Sequence, residues 1–391
     1  MGEETRHYTL ENVFRSAIAQ NRAVAAWRLP LSEQVQACVS LQQSYTIGQP
    51  DLEQSPFGFL FSPFHTSGQE QQLFIKGDLY FDATAGTLTA ASDAPAAAAY
   101  SFTEALESMN QVSGWHNSDV TQASYQTETG FKSAVEKAVA AITAEEMEKV
   151  VLSRNFSEKL PSSFSPVAAF EAMLQAYPNA FVSLVSVPGV GTWMGASPEV
   201  LVSINEEQIF KTVALAGTQP AVENVADAIW RQKEIEEQGM VERYILSCFK
   251  SLRLREYTEV GPRTVIAGNL MHLRTDFKVD LKEVDFPTLG TDMLHLLHPT
   301  SAVCGLPKEP ALAFILAHEG YNRSYYSGYL GPVNSTAGTH IFVNLRCMQL
   351  REQEAILYAG AGITAESNPE KEWLETQHKM QTMRRILANF E

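Results

Sequence analysis

The sequence predicts an α+β protein built from large, mostly antiparallel β-sheets flanked by helices. Three observations predict it. Strand-like runs come in neighbouring groups, long helical segments separate those groups, and strands and helices do not alternate strictly as in βαβ winding. No Rossmann or P-loop glycine motif sits at a strand–helix junction. With 391 residues, 45% of them hydrophobic and 19% charged, the chain has the material for a large buried core.

Residues 1–120 read as short strands alternating with loops. FGFLFSPF (57–64) and QLFIKGDLYFD (72–82) are strand-like, and APAAAAYSF (94–102) reads as a small-residue connector. Residues 124–156 read as a long helix entering a strand, because FKSAVEKAVAAI has helical period and KVVLSR is rich in β-branched residues. A helix follows at 166–178, then three strands in series at 180–188, 191–204 and 208–218. Residues 223–252 form the next long helix and 264–281 a strand pair. Late strands lie at 328–333, 339–350 and 355–363, and a final helix runs to the C-terminus. Residues 1–120 are expected to be a divergent N-terminal part of the same fold, and 121–391 the catalytic region.

The formal net charge is −16 with no long basic run, so nucleic acid is not the expected partner. No apolar run approaches the roughly 20 residues of a membrane span, and the N-terminus has no signal-peptide core. Cys38, Cys248, Cys304 and Cys347 are far apart in sequence and form no CxxC pair, as expected of reduced thiols in a cytoplasmic protein. A monomer is expected.

Two glutamate pairs stand out. Glu372 and Glu375 fall at i, i+3 on the last helix, which begins at Pro369 behind the candidate caps Ser367 and Asn368. Glu234 and Glu237 repeat the spacing on the helix at 223–252. Each pair alone reads as a solvated helix face. If both helices meet at one cavity, four carboxylates need a cation, and all-oxygen ligation without a His/Cys cluster points to Mg²⁺. Each helix is preceded by a strand that ends in glycine, LAGT (215–218) and AGAG (359–362). Gly217, Gly360 and Gly362 suit either ordinary turns or the close approach of a ligand to backbone N–H groups.

Lys149 begins a strand that should be buried. It is either a snorkelling side chain or a general base, and a base needs its amine neutral, which desolvation or a neighbouring cation favours. Glu199 follows a proline within an otherwise apolar strand, as a structural ion or as a carboxylic acid kept protonated. Arg346 interrupts the strand at 339–350, as a buried ion pair or as a fork for a substrate carboxylate.

KVVLSR, GASPE, LAGT, the KExxE helix, HPTSAVCG, the Arg346 strand, AGAG and EWxxE occur here in one order. That ordered set, from about residue 125 to the C-terminus, resembles the chorismate-utilising enzymes: isochorismate synthase, salicylate synthase, and component I of anthranilate and aminodeoxychorismate synthases. The resemblance implies their chorismate-binding fold, like that of anthranilate synthase component I. It implies Glu237 and Glu375 as direct Mg²⁺ ligands, with Glu234 and Glu372 acting directly or through water. Gly217, Thr218 and His272 would lie near the substrate ring, with the metal on its carboxylate. Arg346, Lys379, Gly360 and Gly362 would cradle the enolpyruvyl carboxylate, and Tyr326 and Leu345 would line the pocket.

By the same resemblance, Lys149 is the base that activates water for attack at ring C2, and Glu199 protonates the departing C4 hydroxyl. Ammonia-using members often carry Gln where Lys149 stands, so no glutamine amidotransferase subunit is expected. Ala302 is similar to isochorismate synthases, whereas anthranilate and salicylate synthases more often have Thr. FKTVALAGT lacks the lysine of a PIKGT motif, against aminodeoxychorismate synthase. Gln238 departs from the His or Asn of many relatives, and AGTQP lacks a downstream Arg seen in some. The expected activity is isochorismate synthase, in menaquinone or siderophore biosynthesis. Salicylate synthase and a non-catalytic chorismate-binding protein are the alternatives.

Overall fold

The computed structural model describes residues 7–66, 70–108, 114–120, 125–222, 224–267 and 270–391. Parts of the segments expected at 124–156, 223–252 and 264–281 lie outside them. The first third contributes α1 (Leu10–Ala19), β1 (Val24–Arg28), β2 (Val35–Val39), β3 (Gly58–Ser62), β4 (Leu73–Lys76), β5 (Leu79–Asp82), β6 (Thr87–Ala90) and α2 (Ala96–Ser108). Next come α3 (Glu128–Thr143), β7 (Lys149–Lys159), α4 (Pro166–Ala176), β8 (Phe181–Val187), β9 (Gly191–Ser197), β10 (Val200–Ile204) and β11 (Ile209–Pro220). Then follow α5 (Gln232–Ser251), β12 (Thr258–Ala267), β13 (Leu270–Asp280), α6 (Leu289–Leu297), β14 (Gly305–Leu306) and α7 (Lys308–His318). The chain closes with β15 (Tyr329–Val333), β16 (Thr339–Val343), β17 (Cys347–Leu350), β18 (Glu354–Ile363) and α8 (Pro369–Leu387).

The strands form two antiparallel sheets. A ten-stranded sheet has the order β14-β7-β18-β17-β9-β8-β1-β2-β5-β6, and an eight-stranded sheet the order β12-β13-β11-β10-β16-β15-β3-β4. Strands from the first 120 residues enter both: β1 pairs with β8, and β3 with β15. Between the sheets lies an aromatic core that includes Trp27, Phe59, Phe61, Phe181, Trp193 and Phe342. Phe181 and Phe342, from opposite sheets, stack at 4.1 Å. Helices α1, α4 and α8 bury their apolar faces against the ten-stranded sheet.

Several expected elements change. The 94–102 connector is the start of α2; a run of alanines is the strongest helix former, and small size alone does not make a linker. The helix expected from 223 begins only at Gln232, behind a short 3₁₀ turn at Val225–Asp227. The strands read at 191–204 and 339–350 are each broken in two. β9 and β17 pair within the ten-stranded sheet, while β10 and β16 pair within the eight-stranded one. Both chains therefore cross between sheets side by side. Glu199 lies at the first crossing and Arg346 at the second, so neither sits inside a continuous strand. Arg346 takes the left-handed conformation, φ +49°, which permits its sharp turn.

Candidate active site

The paired crossings open a cavity between the sheets. The Glu199 carbonyl accepts from Val343 N at 3.0 Å, and the Arg346 carbonyl from Ala196 N at 3.0 Å, so the backbone of each corner is tied to the other chain. With their backbones committed, the two side chains are left to line the cavity. Burial raises the Glu199 carboxyl to about 7, although Lys149, Arg346 and Lys379 pull it back. Near neutral pH it is therefore balanced between acid and carboxylate. Burial lowers the Arg346 guanidinium from its usual value, and its Nη1 is buried without a partner. A buried donor of that kind is ready for an anionic ligand.

Gly217 and Thr218, near the end of β11, line the cavity with His272 of β13. The His272 Nδ1 lies 2.9 Å from the Gly217 carbonyl and 3.3 Å from Thr218 Oγ1. A carbonyl only accepts, so Nδ1 carries the proton. Burial, with Arg346 nearby, lowers the ring to about 3, and Nε2 is left buried without a partner. His272 therefore presents a neutral acceptor nitrogen, suited to a hydroxyl and not to a carboxylate. Gly217 has φ +67°, the left-handed turn that favours glycine, and a Cβ there would lie 3.1 Å from Glu234 Cβ.

β7 and β18 form another wall. Lys149 is fully buried, and its Nζ donates to Glu237 Oε1 of α5 at 2.8 Å. Burial works upward on Glu237, but Lys149 outweighs it and holds the carboxyl down to about 2. Gly362 of β18 makes this contact possible: a Cβ there would stand 2.5 Å from Glu237 Oε1 and 3.1 Å from Lys149 Cε. At Gly360, a Cβ would lie 3.1 Å from Tyr326 Oη. Lys379 of α8 donates to the Gly360 carbonyl at 2.9 Å and pairs with Glu375 at 2.6 Å. Ala302, Tyr326 and Leu345 complete the lining. Tyr358 also lines it, stacked on Tyr326 at 5.2 Å, and was not among the expected residues. Its signal was in the sequence: 358, 360 and 362 share one face of β18 by strand period.

The four glutamates are brought to the same region but not into one cluster. Glu237 lines the cavity, whereas Glu234, Glu372 and Glu375 do not. Among the described residues, no three His, Cys, Asp or Glu side chains stand close enough to hold a metal as they are. Each carboxylate instead has a donor of its own. Glu234 accepts from Arg231 N at 2.9 Å as part of a helix cap, and Glu372 pairs with Lys233 at 2.7 Å. Lys233, the lysine of KExxE, was likewise not an expected site residue. Four carboxylates repel, and lysines are the cations the chain itself supplies. The donor set nevertheless fits a hard divalent cation: every donor is oxygen, and Glu372 Oε2 is buried without a partner.

A family model described as "Chorismate binding enzyme" matches residues 68–388. The chain belongs to the chorismate-binding enzyme family. It is 28% identical over 292 residues to isochorismate synthase MenF of Escherichia coli, covering 73% of this chain and 66% of that one. It is 29% identical over 272 residues to isochorismate synthase DhbC of Bacillus subtilis, covering 66% and 67%. The chain thus spans about two thirds of the length of these relatives. In structure it is similar to the menaquinone-specific isochorismate synthase MenF of Escherichia coli, with a TM-score of 0.76 and 22% identity over 97% of this chain and 92% of that one. The chorismate-binding fold expected from the motif order is the fold observed. Among the described residues no helix is long and apolar enough to cross a membrane.

Proposed function

We propose that this protein is an isochorismate synthase, converting chorismate to isochorismate by adding water at ring C2 as the C4 hydroxyl leaves as water. The observation that carries the reading is the buried Glu199 carboxyl, raised to about 7 on a cavity that also holds Arg346 and Lys379. An acid balanced near neutral pH suits protonation of a departing hydroxyl. Arg346 Nη1, without a protein partner, and Lys379 suit the substrate's side-chain carboxylate. Lys149 is the proposed base for water; its ion pair with Glu237 favours the ammonium, so the role requires the proposed metal to take up Glu237 and free the amine. The neutral His272 Nε2 suits a ring hydroxyl as its donor partner. The names of the relatives support the same reaction. The pathway served by the product belongs to the same proposal: menaquinone or siderophore biosynthesis.

Glu237 and Glu375, with Glu234 and Glu372 behind them, are the residues proposed to hold Mg²⁺. When bound, that ion would neutralise the ring carboxylate of the dianionic substrate. The test is incubation of purified protein with chorismate, with and without Mg²⁺, with products separated by chromatography. Isochorismate without pyruvate, formed only with Mg²⁺, is the expected result. Salicylate with pyruvate would make the protein a salicylate synthase, and tight chorismate binding without turnover would remove the enzymatic reading.

A further inference from the structure

We propose that Arg154 is a positioning residue that sets the rotation and register of α8 on the ten-stranded sheet, and so the directions of Glu372 and Glu375. The proposal rests on the metal-site reading above. Arg154 lies five residues along β7 from Lys149, with Ala359 of β18 as its register partner, and is 1% exposed. The odd spacing puts it on the face opposite Lys149. Its Nε donates to Thr376 Oγ1 at 2.7 Å, and its guanidinium carbon lies 3.8 Å from the ring centroid of Trp373. Thr376 Oγ1 in turn donates to the Trp373 carbonyl at 2.7 Å, which closes the contact.

The spacing gives this contact its meaning. Trp373 and Thr376 stand at i, i+3 on α8, and each directly follows one glutamate of the Glu372–Glu375 pair. One arginine therefore grips both residues that share the periodicity of the carboxylates. Phe131 of α3 also packs on Trp373, 5.9 Å between ring centroids, but apolar packing tolerates rotation that a directed hydrogen bond does not. Arg154 Nη2 is buried with no partner, a penalty that a methionine of similar volume would avoid. The contact over Trp373 stabilises the packing, and the directed hydrogen bond to Thr376 fixes the helix placement.

The experiment is direct Mn²⁺ binding to the full-length protein, followed by electron paramagnetic resonance, with melting temperature measured beside it. Wild type is compared with Arg154→Met, Arg154→Lys and Thr376→Val. Arg154→Met should raise the Mn²⁺ Kd about tenfold, as loss of an outer-shell support does. Arg154→Lys should recover part of the loss through the charge over Trp373. Thr376→Val should weaken binding in the same direction while lowering the melting temperature, because the buried Arg154 Nε loses its acceptor, and it decides the matter if Arg154→Met does not fold. Wild-type Mn²⁺ affinity in folded Arg154→Met, or in Thr376→Val, overturns the proposal. If wild type binds no Mn²⁺, the metal reading fails separately. Amide exchange across residues 372–379 then decides: faster exchange in Thr376→Val supports the positioning role, and unchanged exchange overturns it.

Discussion

At the scale of single residues, Lys149 and Glu199, the proposed base and acid, are buried in different company. Glu199 is raised by burial to about 7, whereas Lys149 sits on the Glu237 carboxylate. If Glu199 is the acid, Glu199→Gln should slow isochorismate formation by about 10²–10⁴-fold, the range for loss of a general acid. The wild-type rate should fall as pH rises through about 7, because the active form is the protonated one. That alkaline limb should be missing from the residual activity of the variant, which a pH–rate profile measures. Lys149→Gln should be slowed by a comparable factor of about 10²–10⁴ if the amine is the base. Full activity in a folded Lys149→Gln protein would remove that assignment. These residues were visible in the sequence because charge inside an apolar run is conspicuous. Their partners were not: Lys149 and Glu237 are 88 positions apart, and no local pattern pairs them.

At the scale of elements, the site depends on glycines in β18 and on the cap of α8. Gly362→Ala would push a methyl group into the Lys149–Glu237 contact, where the space is 2.5 Å. The strand should survive, since Gly362 is not among the glycines with a positive φ. The expected outcome is a folded protein, by circular dichroism, that has lost most of its chorismate turnover. Asn368 caps α8, accepting from Glu370 N at 3.1 Å and Lys371 N at 3.2 Å. Asn368→Ala should lower stability by about 1 kcal/mol in urea titrations, and it frays the turn that carries Glu372. The cap, the proline after it and the glycine strand before it were all legible, because each is a local signal. The crossings at Glu199 and Arg346 were not. Apolar residues flank each crossing closely on both sides, so the sequence reads as one strand while the chain changes sheets. The signals that mark the bend, Pro198 and a left-handed Arg346, are weak in sequence and decisive in three dimensions.

At the scale of the whole molecule, the buried titrating groups set how the protein responds to acid. Burial first of all lowers His116 to about 4 and His272 and His298 to about 3, all below the ordinary 6.5. A histidine with a lowered folded value binds its proton more readily when unfolded, so each removes stability as pH falls below about 6.5. Glu199 acts in the opposite sense. Its folded value of about 7 exceeds the ordinary 4.5, so the native state holds a proton that the unfolded chain releases, and that contribution is lost as pH rises towards 7. Between about pH 4.5 and 6, these three histidines against Glu199 put the unfolded state ahead by about two protons; His340, also lowered by burial, adds to that lead and Glu372, raised by burial, subtracts from it. Each proton is worth about 1.4 kcal/mol per pH unit, so stability should fall by roughly 3 kcal/mol per unit of acidification in that window. Below 4.5 the slope should persist, because Glu237, held at about 2, must then be protonated to unfold its ion pair. Urea midpoints measured between pH 4.5 and 6.5 test the slope. His116→Asn, away from the cavity lined by Glu199, should reduce it by about one proton, roughly 1.4 kcal/mol per pH unit. A midpoint that stays level across the window would mean that these histidines titrate alike in the folded and unfolded states.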